Sequence, residues 1–172
     1  MPSDAGSPAP PQTFFPESPE QLVSLERLAE MSGLEFIRGM AEGRLPAPPI
    51  ARLMDFALHE VAEGRVVFRG RPRFEHYNPI GGVHGGWFGT LLDSCMACAV
   101  QTTLPKGFGY TTLEYRVNIV RPLFEDSEAV LARGDVLHAG KRTAAAEGKL
   151  LGEDSGKLYA FGTTTCLVMP LS

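Results

Sequence analysis

Between Glu75 and Lys106 the chain carries one charged side chain, Asp93. From Trp87 to Val100 the run reads Trp-Phe-Gly-Thr-Leu-Leu-Asp-Ser-Cys-Met-Ala-Cys-Ala-Val, with helical spacing and few solvating groups. A helix that is apolar on nearly every side is buried on nearly every side. The fold must therefore wrap a helix over roughly residues 83–103, which stops before Pro105-Lys106-Gly107. An ionisable carboxylate inside such a helix costs free energy unless it is paired or put to use. Burial should also raise its pKa, toward the range useful to a base or nucleophile.

The rest of the chain supplies the wrapping. Residues 51–62 and 65–73 have the pattern of a hairpin turning at Glu63-Gly64. From Thr112 the sequence alternates, with Leu113, Tyr115, Val117 and Ile119 on one face and Thr112, Glu114, Arg116 and Asn118 on the other. That is the mark of a half-buried strand. Further strands are expected at 127–138, 141–152 and 157–169, with turns at His138-Ala139-Gly140 and Asp154-Ser155-Gly156. Short connections make the last strands hairpin neighbours. One long apolar helix among about six antiparallel strands is an α+β architecture, a sheet wrapped around the helix.

Ahead of this domain, Ser18-Pro19-Glu20-Gln21 offers a helix start. Leu22, Leu25, Leu28, Met31, Leu34 and Ile37 then recur at threes, until Gly43 and Pro46-Ala47-Pro48-Pro49 end the section. The expected organisation is a disordered Pro/Ser/Ala-rich tail over 1–18, an N-terminal helical extension over 19–44 and one domain over 45–172.

A net charge of −4 argues against a nucleic-acid protein. The basic residues are scattered, and the pairs Arg71/Arg73 and Lys141/Arg142 suffice only for a small phosphorylated ligand. No run reaches the length of a membrane span, and the N-terminus lacks the basic and apolar regions of a signal peptide. The three cysteines, Cys95, Cys98 and Cys166, are odd in number and lie in apolar patterns, as in a reduced, cytoplasmic protein. Cys95-Met96-Ala97-Cys98 sits in mid-helix with no second pair, so it is expected in the core rather than on zinc or in a redox centre. No P-loop, dinucleotide fingerprint or serine-hydrolase elbow fits the glycine-rich stretch or Ser94.

The segment Asn78-Pro79-Ile80-Gly81-Gly82-Val83-His84-Gly85-Gly86 leads into the helix, whose first N–H groups can receive partial negative charge. Gly85 and Asp93 are eight residues apart, about 12 Å along one helix axis. A catalytic group and an oxyanion donor must both lie about 3 Å from the reacting atoms. One helix cannot offer both to one substrate, whereas two antiparallel copies can. Gly85, Gly89 and Asp93 recur at fours, a small-residue face that would permit close approach. His84 can be a structural hydrogen bonder or a base, and Asn78 can form an Asx turn or act on the substrate.

With these residues in view, the chain resembles the hotdog-fold thioesterases, in particular the PaaI-like subgroup. The matching elements are Asn78-Pro79-x-Gly81-x-x-His84-Gly85-Gly86, Asp93 nine residues after the histidine, and Thr112–Ile119 before Arg121-Pro122. The resemblance covers about 45–170. It implies hydrolysis of acyl-CoA thioesters without metal or redox cofactor, in a homodimer that pairs further into a homotetramer. It also implies Asp93 as base or nucleophile, the Gly85 N–H as polariser of the thioester carbonyl, Asn78 as the group orienting water or leaving group, and Thr112 beside the carboxylate. His84, Gly86, Phe108, Tyr110, Lys141 and Arg142 are candidate substrate contacts, the last two for CoA phosphates, while Trp87 and Phe88 could set pocket depth. A non-hydrolytic acyl-CoA sensor and a hydratase-type hotdog are the other functions such a chain could serve.

Overall fold

The computed structural model describes residues 13–171, so most of the expected tail lies outside the described residues. The main body is a six-stranded antiparallel sheet around one helix. Its strands are β1 (Phe56–Ala62), β2 (Arg65–Gly70), β3 (Phe108–Ile119), β4 (Val130–Ala139), β5 (Thr143–Gly152) and β6 (Leu158–Pro170). The order across the sheet is β1-β2-β4-β5-β6-β3. Hairpins join β1 to β2, β4 to β5 and β5 to β6. β3 lies beyond β6, so the connection from β3 to β4 passes from one edge to the interior of the sheet.

Three short helices precede the sheet, α1 (Leu25–Ala29), α2 (Gly33–Ala41) and α3 (Pro49–Leu53), and the long helix is α4 (Gly85–Thr102). α4 begins two residues later than the sequence pattern suggested. Trp87, Phe88, Leu91, Leu92, Cys95, Met96, Ala99 and Val100 of α4 are buried, and every strand contributes contacts to it. Truncating one such side chain, Leu92→Ala for example, should cost about 2–5 kcal/mol. The sheet comes close to the helix at Gly134 of β4, where a Cβ would stand 2.3 Å from the Cys95 carbonyl oxygen. The Trp87 indole N–H donates to the Met54 carbonyl at 2.8 Å, so this ring is buried with its polar end satisfied.

Several boundaries differ from the sequence pattern for identifiable reasons. The continuous helical run expected from Ser18 is broken into a 3₁₀ turn at Pro19–Gln21, α1 and α2. Ser24 and Ser32 start α1 and α2 as N-caps, Ser32 in a full capping box with Glu35. Ser18 forms no side-chain cap. The expected strand over 51–62 starts only at Phe56, because Pro49 opens α3 at a position where its missing N–H costs nothing. Asp55, at φ 49°, turns the chain from α3 into β1. Phe108 and Tyr110, placed by sequence in a loop before the strand, belong to β3. Lys141 and Arg142 sit in the β4–β5 turn rather than at the start of a strand.

The largest departure is inside β3. A bulge leaves Leu113 without a partner, with Thr112 opposite Cys166 and Glu114 opposite Thr165. One extra residue shifts the alternation. Tyr110 and Thr112 before the bulge therefore share the inward face with Tyr115, Val117 and Ile119 after it, opposite the buried row Val168, Cys166, Thr164 and Ala160. The sequence alternation had put Thr112 and Tyr115 on opposite faces.

Candidate active site

Asp93 sits halfway along α4 and is half-buried. Its Oδ1 accepts a hydrogen bond from the Thr112 hydroxyl at 3.1 Å, a contact that exists because the bulge turns Thr112 inward. No cation pairs with Asp93 among the described residues, and its second oxygen has no protein partner there and is not fully enclosed. Burial raises the Asp93 pKa above the ordinary carboxylate value, and the Thr112 bond partly offsets that. The result is a carboxylate fixed through one oxygen, reachable through the other and more basic than an exposed aspartate.

The entry to α4 forms a second cluster. His84 caps the helix, its Nδ1 accepting from the Gly86 N–H at 2.8 Å. A Cβ on Gly86 would stand 2.9 Å from that nitrogen, so this close cap needs glycine. The imidazole is thus held as the tautomer with hydrogen on Nε2 and is exposed. The cap takes the Gly86 N–H and leaves the Gly85 N–H, at the first helical position, without an intrahelical acceptor. The Asn78 side-chain oxygen accepts from Ile80 N at 3.0 Å and Gly82 N at 3.3 Å. Asn78 therefore does form an Asx turn, and its side-chain NH₂ remains as the group that could meet a ligand.

The small-residue face of α4 is used differently from the sequence expectation. A Cβ on Gly89 would meet the Tyr115 ring at 3.4–3.9 Å, and one on Gly85 would meet Ile119 Cδ1 at 3.3 Å. Gly85 and Gly89 therefore make room for the chain's own β3 rather than for a second helix packed directly on them. Trp87 and Phe88 are 2% and 1% exposed in the core and line neither the cavity that holds Phe108 nor the one that holds Tyr110. Phe108 and Lys141 share a cavity of about 520 Å³ at the C-terminal end of α4. Arg142 is exposed in the neighbouring turn, where its carbonyl accepts from Val168 N.

Tyr110 lines a different cavity, of about 340 Å³, with Cys98, Gln101 and the N-terminal helices. Gln101 and Cys98 were not singled out from sequence as ligand contacts. The available signal was a lone amide late in an apolar helix. Burial pushes the Cys98 thiol up to about 12, and Cys95 is fully buried with its Sγ directed at the Leu92 carbonyl. Both remain neutral thiols. Among the described residues no cluster of three His, Cys, Asp or Glu side chains could hold a metal, and no helix is long and apolar enough to cross a membrane.

A carboxylate held by a threonine on the strand, and a free glycine N–H eight residues before it on the same helix, are thus parts of one sheet-wrapped architecture. The thioesterase superfamily matches residues 80–159, which include both groups. Phenylacetic acid degradation protein PaaI from Thermus thermophilus has 30% identity and a TM-score of 0.62, over 69% of this chain and 97% of that one. The chain belongs to the thioesterase superfamily, within its PaaI-like hotdog members. A phenylacetic acid degradation-related protein from Ralstonia eutropha is 27% identical with a TM-score of 0.67, over 80% of this chain and 99% of that one. Human acyl-coenzyme A thioesterase 13 is 28% identical over 131 residues, which are 76% of this chain and 90% of that protein. Membership assigns the chain to the thioester hydrolases.

Proposed function

We propose that this thioesterase hydrolyses acyl-CoA to free acid and CoA in a site made by two chains. The observation that carries the chemistry is Asp93, without a cationic partner among the described residues, tethered by Thr112 through one oxygen and with the other free of protein partners there. In the hydrolytic route, Asp93 takes a proton from water as the water oxygen adds to the thioester carbonyl. The oxyanion accepts a hydrogen bond from the Gly85 N–H, and collapse expels the thiolate, which recovers the proton from Asp93. In the covalent route, Asp93 attacks the carbonyl, releases CoA and forms an anhydride that water then opens. Transfer of solvent oxygen into Asp93 during a single turnover distinguishes the two. The names of the relatives support CoA as the thiol carrier, and Lys141 and Arg142 offer charge for its phosphates.

The Gly85 donor comes from a second copy. Within one chain Gly85 and Asp93 are about 12 Å apart along the helix axis, too far to meet the same carbonyl. β3 is an edge strand twelve residues long, and Leu113, Tyr115 and Ile119 on it are 57%, 49% and 46% exposed. Antiparallel pairing of two β3 edges would extend the sheet, cover these side chains and set the partner's Gly85 toward Asp93. The Asn78 NH₂ and His84 Nε2 at the same helix entry would then face the substrate. The test is thiol release from a panel of acyl-CoAs, with mass measured in solution. Release by a dimer or larger assembly supports the reading. Binding without release would make the protein an acyl-CoA sensor instead.

A further inference from the structure

The cavity beneath the N-terminal extension is walled by Leu28, Phe36, Ile37 and Met40 on one side and by Cys98, Gln101 and Tyr110 on the other. Two distances tie it to Asp93. Cys98 follows Asp93 by five residues on α4, about 7 Å along the axis. Tyr110 precedes Thr112 by two residues on the same inward face of β3, also about 7 Å. An acyl chain whose carbonyl lies at Asp93 would need about five or six bonds to span these distances.

The walls are apolar apart from two groups. Gln101 is 4% exposed and lines the cavity, and no side-chain hydrogen bond among the described residues engages its amide. Because no fully enclosed polar atom is left unpaired, that amide must border the open space. Burying an amide without a partner costs on the order of 1–3 kcal/mol, so a ligand group that completes it is favoured. Tyr110 likewise brings a hydroxyl that no hydrogen bond among the described residues engages, and burial holds its pKa well above the usual phenol range, so it stays a neutral donor. Among the described residues no cationic side chain lines the cavity. The helices that roof it precede residue 80 and so lie outside the segment the superfamily matches. α2 is held close to α4, with the Gly33 N–H donating to Leu104 O at 2.9 Å.

We infer that this cavity receives the acyl group, and that Gln101 and Tyr110 select uncharged acyl groups bearing a hydrogen-bonding substituent at the far end. The cavity, of about 340 Å³, has room for an acyl group of medium length. The inference rests on the thioesterase reading of Asp93 and extends it to substrate class.

The test compares octanoyl-CoA with 8-hydroxyoctanoyl-CoA, both by thiol release and by calorimetric binding of their non-hydrolysable thioether analogues. The wild-type protein should favour the hydroxylated member. Gln101→Leu with Tyr110→Phe should reduce that preference by roughly tenfold or more, the value of one or two hydrogen bonds. Leu28→Trp, which fills the cavity from the extension side, should weaken both octanoyl compounds more than acetyl-CoA. Should either set of replacements misfold, the other still reads the cavity. Thiol release with no preference in the wild type, or with the same preference in the variants, overturns the inference. Discrimination in binding without any thiol release would overturn the hydrolytic reading and leave the cavity assignment standing.

Discussion

At one side the sheet ends on β1, seven residues long, with a bulge between Leu58 and Glu60, exposed His59 and Glu60, and α2 and α3 packed against it. At the other side it ends on β3, twelve residues long, with Leu113, Tyr115 and Ile119 exposed. Charge, a bulge and covering helices are the means by which soluble proteins close an edge. β3 has a bulge too, but there it turns Thr112 onto Asp93 and leaves the apolar side chains uncovered. The lesson is that the same irregularity can end pairing at one edge and build a site at the other. The edge that carries half of the candidate site is also the one left able to pair.

The comparison can be broken most severely at the carboxylate. Asp93→Asn should lower kcat by about 10²–10⁴-fold with little change in KM, because the amide keeps the volume and loses basicity. Steady-state kinetics with unchanged circular dichroism checks this. At the β3 edge, Leu113→Lys with Tyr115→Lys should weaken self-association roughly a hundredfold by placing unpaired charge in the interface. Glu60→Lys on β1 should leave the sedimentation behaviour unaltered, and equal effects at both edges would erase the distinction. A finer change is Thr112→Val, which removes the one bond that favours the charged form of Asp93. Here kcat/KM should fall about tenfold or less, and the acid limb of its pH profile should move to higher pH.

The smallest effect is on stability. The folded-state pKa of Asp93 is raised by burial above its unfolded value. A group raised in this way contributes most to stability below its unfolded pKa and loses that contribution as pH rises through the folded pKa. At neutral pH the ionised carboxylate therefore opposes folding, and Asp93→Asn should raise Tm while abolishing turnover. The gain should vanish in acid. A lower Tm in the variant at neutral pH would mean that the carboxylate is a structural partner instead.

The buried helix and the number of strands were legible in the sequence because a single charge in thirty residues leaves no other solution. Asp93 stood out for the same reason. The Asn78–Gly86 motif was legible, but its wiring was not. Nothing in the residue types distinguishes a His84 that caps Gly86 from one that faces a substrate. The bulge at Leu113 was invisible, since every residue from Leu113 to Ile119 fits an unbroken alternation, and only pairing with β6 reveals the extra residue. The breaks in the extension are hidden in the sequence because apolar spacing at threes persists across Ser24 and Ser32, whose hydroxyls cap the starts of α1 and α2. Gln101 escaped notice because its meaning depends on α2 folding back over α4.

The most direct test of the two-chain site joins Asp93→Asn with Gly85→Pro. Proline at the first helical position removes the donor N–H yet suits a helix start, and His84 before it is already extended at ψ 139°. Each variant alone should be nearly inactive. Refolded together in equal amounts, half of the dimers should be mixed and carry one intact site each, so the mixture should recover about a quarter of wild-type activity. A mixture no more active than its parents, with heterodimers demonstrated by mass, would contradict the shared site.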